Sequence, residues 1–298
     1  SYTGLAQQES LYTQYMYNPS VFNPGYTGSR ATASFNLNHR SQWVGLEGAP
    51  TTTQFSYQMP ISKYNLGLGV HFSNDALGNI SEQNIAIDVA YHLQVNDIAK
   101  LSLGIKASSN LLNVDFNQLN LFQTDTSLNQ NIDRQFSPNL GAGLFYYTDK
   151  LYVGFSAPNL FKSNHFDDPQ VQQNTANYLV TDQIHYYATA GYVLPLNDRL
   201  LFKPSSMVRF VSGTEAQVDV SANFMYDATF TFGASYRVGN AISALVGTEV
   251  TKGLFIGYAY DKENTLLQNT NNGSHEVFLR YDLFSRKGNK NVQLPRFF

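Results

Sequence analysis

Along most of the chain, apolar and polar residues alternate one by one. Between Ile85 and Leu93 one face carries Ile85, Ile87, Val89, Tyr91 and Leu93, and the other Ala86, Asp88, Ala90 and His92. From Phe230 to Arg237 the faces are Phe230, Phe232, Ala234, Tyr236 and Thr231, Gly233, Ser235, Arg237. A period of two belongs to strands with one face buried. A soluble sandwich shows the same period, so the polar face decides. A sandwich turns Lys and Glu to water, whereas here that face is largely Gly, Ser, Thr, Asn and Gln with scattered charges. Such residues suit the crowded, hydrated interior of a membrane barrel whose other face meets lipid.

The pattern predicts strands near 30–40, 51–60, 64–73, 82–95, 98–108, 137–147, 150–157, 182–194, 199–211, 215–225, 228–237, 241–250, 253–262 and 274–284. The expected fold is all-β, a transmembrane antiparallel β-barrel of about 14 strands. Asn96-Asp97, Thr148-Asp149 and Asn197-Asp198 read as tight turns, because these side chains cap their own backbone. Every link from an even to an odd strand is short, while several on the other side are long (41–50, 109–136, 158–181, 263–273). Bacterial barrels keep short turns in the periplasm, which places both termini there. Pro60 and Pro195 fall at predicted strand ends, and Pro138 and Pro204 near starts, where a ladder tolerates them.

Composition supports a membrane setting. Of 298 residues 14% are charged, against roughly 25% in soluble proteins. No window approaches the ~20 consecutive apolar residues of a membrane helix, so a chain that spans must do so as a closed sheet. A net charge of -3 without a basic cluster speaks against nucleic acid. Without Cys there is neither a disulfide framework nor thiolate metal chemistry. The chain starts at Ser1, and Gly4-Leu5-Ala6 reads as the end of a removed signal peptide.

Residues 7–29 fit no strand. Asn18-Pro19, Asn23-Pro24, Gly25 and Gly28 force irregular backbone, yet Tyr12, Tyr15, Tyr17, Phe22 and Tyr26 make it rich in aromatics. A barrel of this size has a lumen to fill, so the segment is expected to tuck into the periplasmic mouth as a plug-like piece; a disordered leader is the alternative. The expected organisation is an N-terminal segment 1–29, a barrel 30–286 and a periplasmic tail 287–298, with a further strand as the other reading of that tail.

The run Gln14-Tyr15-Met16-Tyr17-Asn18, then Asn23-Pro24-Gly25-Tyr26-Thr27-Gly28-Ser29, then Arg40-Ser41-Gln42-Trp43-Val44-Gly45 with Gly48-Ala49-Pro50-Thr51, resembles the N-terminal signature of the PorP/SprF family. Ala is usual in that family where Gly25 and Thr27 stand, and both are small replacements. Leu140-Gly141-Ala142-Gly143-Leu144 and Tyr152-Val153-Gly154-Phe155-Ser156 extend the resemblance along nearly the whole chain. It implies an outer-membrane protein of type IX secretion that helps export or anchor secreted surface proteins, gliding adhesins among them, through their C-terminal domain. Other secretion components and outer-membrane lipid are the further implied contacts.

Little in the chain points to catalysis. His71, His92 and His185 fall on inward faces, but no pair has metal-ligand spacing within a strand, and His39 sits at a strand end. No nucleophile elbow, Ca²⁺ loop or phosphate loop appears, and no cofactor is implied. The inward charges Arg40, Asp88, Lys106, Lys203, Arg209, Asp219, Arg237, Arg280 and Asp282 should find partners across the lumen, since an unpaired buried charge is expensive. Arg209 and Asp219 are the neighbours expected from adjacent strands. The network either holds the barrel shut or lines a selective pore. Two predicted outer loops are candidate partner surfaces: one with Leu111, Leu112, Val114, Phe116, Leu119 and Phe122, the other with Phe161 and Phe166. Alternatively both fold over the barrel and bury themselves. The competing functions are a scaffold that holds a secreted protein, a channel for small or hydrophobic solutes, and an outer-membrane hydrolase.

Overall fold

A computed structural model describes residues 15–30, 32–115, 132–161, 183–264 and 271–283. Where alternation holds, strands form: β1 (Ala33–Ser41), β2 (Thr51–Ile61), β3 (Leu66–Leu77), β4 (Ile80–Gln94) and β5 (Lys100–Val114). There follow β6 (Ile132–Tyr147), β7 (Leu151–Ala157), β8 (His185–Tyr192), β9 (Leu194–Pro195) and β10 (Leu200–Val211). The wall is completed by β11 (Gln217–Tyr226), β12 (Phe230–Arg237), β13 (Ala241–Thr251), β14 (Leu254–Glu263) and β15 (Ser274–Leu283). All pairings are antiparallel, and β1 meets β15 from Ala33↔Leu283 to Ser41↔His275. The sheet is therefore a closed 14-strand barrel plus one short extra strand, β9. Closure matters physically, because a free sheet edge in lipid leaves amides unsatisfied.

The extra strand has a local cause. β8 and β9 both pair with β10, with Ser205↔Gly191 on one side of the break and Phe202↔Leu194 on the other. That register sets Pro204 opposite Tyr192. Proline has no N–H to give the ladder, so the pairing lapses for one step, and Val193 N–H bonds instead to Lys150 O at 2.8 Å.

The two faces separate as the alternation requires. Ile87, Leu103, Ile105, Phe155, Val246 and Phe210 point outward, while Ser102, Gly104, Lys106, Ser205, Arg209 and Asp219 point inward. Links on the side where β1 begins and β15 ends are short, and their caps are the ones the sequence offers. Asn96 Oδ1 accepts from Ile98 and Ala99 N–H, Asn197 Oδ1 from Arg199 and Leu200, and Thr148 Oγ1 from Lys150 and Leu151.

One part of the wall differs from the sequence reading. β5 continues past residue 108 to Val114, paired with β4 down to Ile80↔Val114, and β6 begins at Ile132. Leu111, Leu112 and Val114 are thus strand residues and not loop residues; Leu112 and Val114 face inward and are buried. Pro138 lies well inside β6 and not near its start. It is tolerated because β7 stops at Ala157, opposite Ala142, so no ladder to β7 exists at Pro138. Phe116, Leu119, Phe122, Phe166, residues 1–14 and the tail 287–298 lie outside the described residues.

Candidate functional site

The site is the lumen and the segment inside it. Two short 3-10 turns, Pro19–Val21 and Pro24–Tyr26, shape residues 15–30, each with proline at its first position, where no N–H is needed. Asn23 caps the second turn: its Oδ1 accepts from Gly25 N–H at 2.8 Å, and its Nδ2 donates to Leu144 O at 3.0 Å. Gly28 takes φ +73°, which costs glycine nothing.

The segment packs against much of the wall's inner face. Tyr17 stacks on Phe255 and leans on Phe278, Phe22 meets Tyr187, and Tyr26 meets Phe145 edge-on. Asn18 Nδ2 donates to Ser56 Oγ at 2.9 Å, and Gly28 N–H to Gln58 Oε1 at 3.1 Å. Thr27 donates to Asp88 Oδ2 at 3.1 Å, while its carbonyl lies 3.0 Å from His92 Nε2. Lys106 Nζ donates to Val21 O at 2.8 Å, and Asn223 Nδ2 approaches Met16 Sδ at 3.2 Å. Arg30 closes the lower end on Asp282 at 2.9 Å. Burial pushes the Tyr15 phenol up to about 12.

Inward glycines make this fit possible. A side chain at Gly67 would overlap the Thr27 carbonyl, and one at Gly69 would come within 2.8 Å of Thr27 Cγ2. At Gly104 it would strike Pro24 and Gly25 backbone, and at Gly143 and Gly154 the Asn23 amide. Tyr15, Asn18, Phe22, Asn23, Pro24 and Tyr26 thus share one buried unit. Trp43 does not join them. It stands in the link after β1, at the far end of the barrel, with φ 49° and its backbone N–H on Ser274 Oγ at 3.3 Å.

The inward charges pair, though not all as expected. Asp88 lies 2.7 Å from His71 Nε2 and 3.6 Å from Lys106 Nζ. Arg40 sits between Asp261 at 2.6 Å and Glu276 at 3.2 Å. Asp282 is shared by Arg30 and Arg280, and Lys203 lies over the Tyr152 ring. Asp219 pairs with Arg237 of β12 at 2.8 Å, not with Arg209 of β10. Both adjoin β11, so adjacency in sequence did not choose between them. Arg30, Asp261 and Glu276 were missed as members; strand parity places Glu276 on the face of Phe278 and Arg280. Among the described residues no group of three or more His, Asp or Glu gathers as a metal site.

Above this layer, Asn139 Oδ1 accepts from the N–H groups of Leu160 and Phe161, and Asn139 Nδ2 donates to Phe161 O at 2.8 Å. The Phe161 ring is 53% exposed, as a partner surface would need.

The chain matches the family described as type IX secretion system membrane protein PorP/SprF over residues 4–281. It belongs to that family. PorP/SprF membership makes it a membrane component of type IX secretion, and the barrel fold places it in the outer membrane. No curated protein matches it. Among solved structures, the Ralstonia pickettii toluene transporter TbuX is similar in fold, with 12% identity over 90% of this chain and 92% of that one, at a TM-score of 0.51. The P. putida toluene transporter TodX aligns at 10% identity over 90% and 94%, TM-score 0.49. Omp33 of Acinetobacter baumannii aligns at 10% over 85% and 99%, TM-score 0.47.

Proposed function

We propose that this barrel is a non-enzymatic holder of type IX secretion, in which residues 15–30 stop the lumen and the outer face retains a secreted surface protein of the adhesin type by its C-terminal domain. The observation that carries the reading is the seat of the segment: backbone lies against inward glycines, and Arg30, Thr27 and the carbonyl of Val21 are tied to charged wall residues. A hatch built to swing free would not bury so many specific polar contacts. What remains for a partner is the outer side, where Phe161 is exposed and β5 and β6 raise the wall to Val114 and Ile132.

The likeness to TbuX, at 12% identity, speaks of the fold and adds nothing toward solute transport. The test is isolation of the protein from its native outer membrane with identification of the chains that accompany it. A secreted protein with a type IX C-terminal domain is expected among them, and its absence would defeat the reading. Planar-bilayer recording should give no steady conductance; an open pore in the intact protein would favour a channel instead.

A further inference from the structure

Among the described residues, Arg209 is the buried lumen cation for which neither a hydrogen bond nor an ion pair forms. It is 7% exposed and projects inward from β10, two residues from the strand's outer end. Its rung neighbours are Tyr187 on β8 and Gln217 on β11. Asp219, the carboxylate close enough to influence it, already accepts Arg237 Nε at 2.8 Å. Among the described residues, His185, one inward position further out on β8, Arg237 and, beyond Asp219, Asp261 are the further titratable groups nearby. Below it the lumen is taken up by Tyr15, whose hydroxyl faces Ser205 and Ser221. Among the described residues, that leaves the outer side as the way in for a counter-ion.

Arg209 is more than nine-tenths covered, yet its guanidinium is left unbonded, and that planar fork matches a carboxylate at two points. We propose that Arg209 is an anion-receiving site at the outer end of the lumen, and that it takes a carboxylate of the secreted polypeptide held there. This rests on the holder reading above. The carboxylate comes from an acidic side chain or from the partner's C-terminus.

The test is arginine modification by phenylglyoxal, read residue by residue by mass spectrometry, on the full-length protein free and in its isolated complex. In the free protein Arg209 should react at least about tenfold faster than Arg40 or Arg237, whose carboxylates hold them. In the complex it should be protected. Equal rates in the free protein would show an internal partner and overturn the site, as would unchanged reactivity in the complex.

Arg209→Gln should weaken retention of the partner about thirtyfold, as loss of one member of a desolvated charge pair does. Arg209→Lys should retain part of it, and both variants should keep heat-modifiable migration. Appending two residues to the partner's C-terminus abolishes protection if the terminal carboxylate is the ligand and preserves it if a side chain is. Protection by acetate alone, matched by no loss of retention in Arg209→Gln, would mean that a small free anion binds and would overturn the polypeptide assignment. Should the wild-type protein retain no secreted partner, the holder reading falls and the polypeptide assignment with it; the reactivity ranking and acetate protection still decide whether Arg209 receives an anion.

Discussion

Gly104 and Gly25 meet backbone to backbone, with no room between them for a single methyl group. Gly104→Val should therefore displace residues 24–25 from the wall. Overpacking of this kind costs about 1–3 kcal/mol or more where backbone must move. The expected outcome is a lower unfolding temperature of the heat-modifiable band and faster trypsin cleavage after Arg30. An unchanged cleavage rate would mean that the seat is dispensable.

Asp282 holds two guanidinium groups at once. Asp282→Asn leaves Arg30 and Arg280 facing each other without a carboxylate. Loss of one member of a buried pair costs about 3–5 kcal/mol. The loss should appear as reduced barrel stability in urea, and as bilayer conductance if the segment leaves the lumen. Asp282→Glu should restore most of the stability.

Tyr15 gives the segment an alkaline limit. Its phenol is held neutral, and the raised value of about 12 exceeds the ordinary value near 10. Below pH 10 the contribution is fully present; as pH climbs from 10 toward 12 the unfolded phenol ionises and the native one does not, so stability falls. Tyr15→Phe should lose less stability than the wild-type protein across that interval, measured by the midpoint of heat-modifiable unfolding.

Leu112 and Phe161 separate wall from partner surface. Removing residues 111–114 takes four residues from the paired part of β5 and should impair assembly itself. Phe161→Ala touches an exposed ring and should leave folding within about 0.5 kcal/mol of wild type while lowering partner retention. Retention unaffected by Phe161→Ala would remove that residue from the contact surface.

The fourteen strand positions were legible because one binary rule governs them: lipid on one side, wet lumen on the other. Legibility ended where the rule ends. Beyond Ser108 the outward positions of β5 include Ser109 and Asn113, and the inward ones become Leu112 and Val114, so the sense of the pattern inverts above the lipid band and reads as loop. Pro138 misled for a related reason, since a proline excluded from a two-sided ladder is allowed where one neighbour has stopped. The aromatic segment before β1 announced that it must pack, but Trp43, close in sequence, belongs to the opposite end. Pairing within the lumen was beyond reach, because strand parity names the residues on a face and leaves the diagonal choice, Arg209 or Arg237 for Asp219, to side-chain geometry.

β6 climbs to Ile132 while β7 halts at Ala157, ten residues lower along the pair. The hydrogen-bonded rim is thus a parapet along one flank that steps down on the next. Among the described strands the rim therefore has a bearing: a body resting on it from outside would meet a tall wall on one flank and a low one on the next.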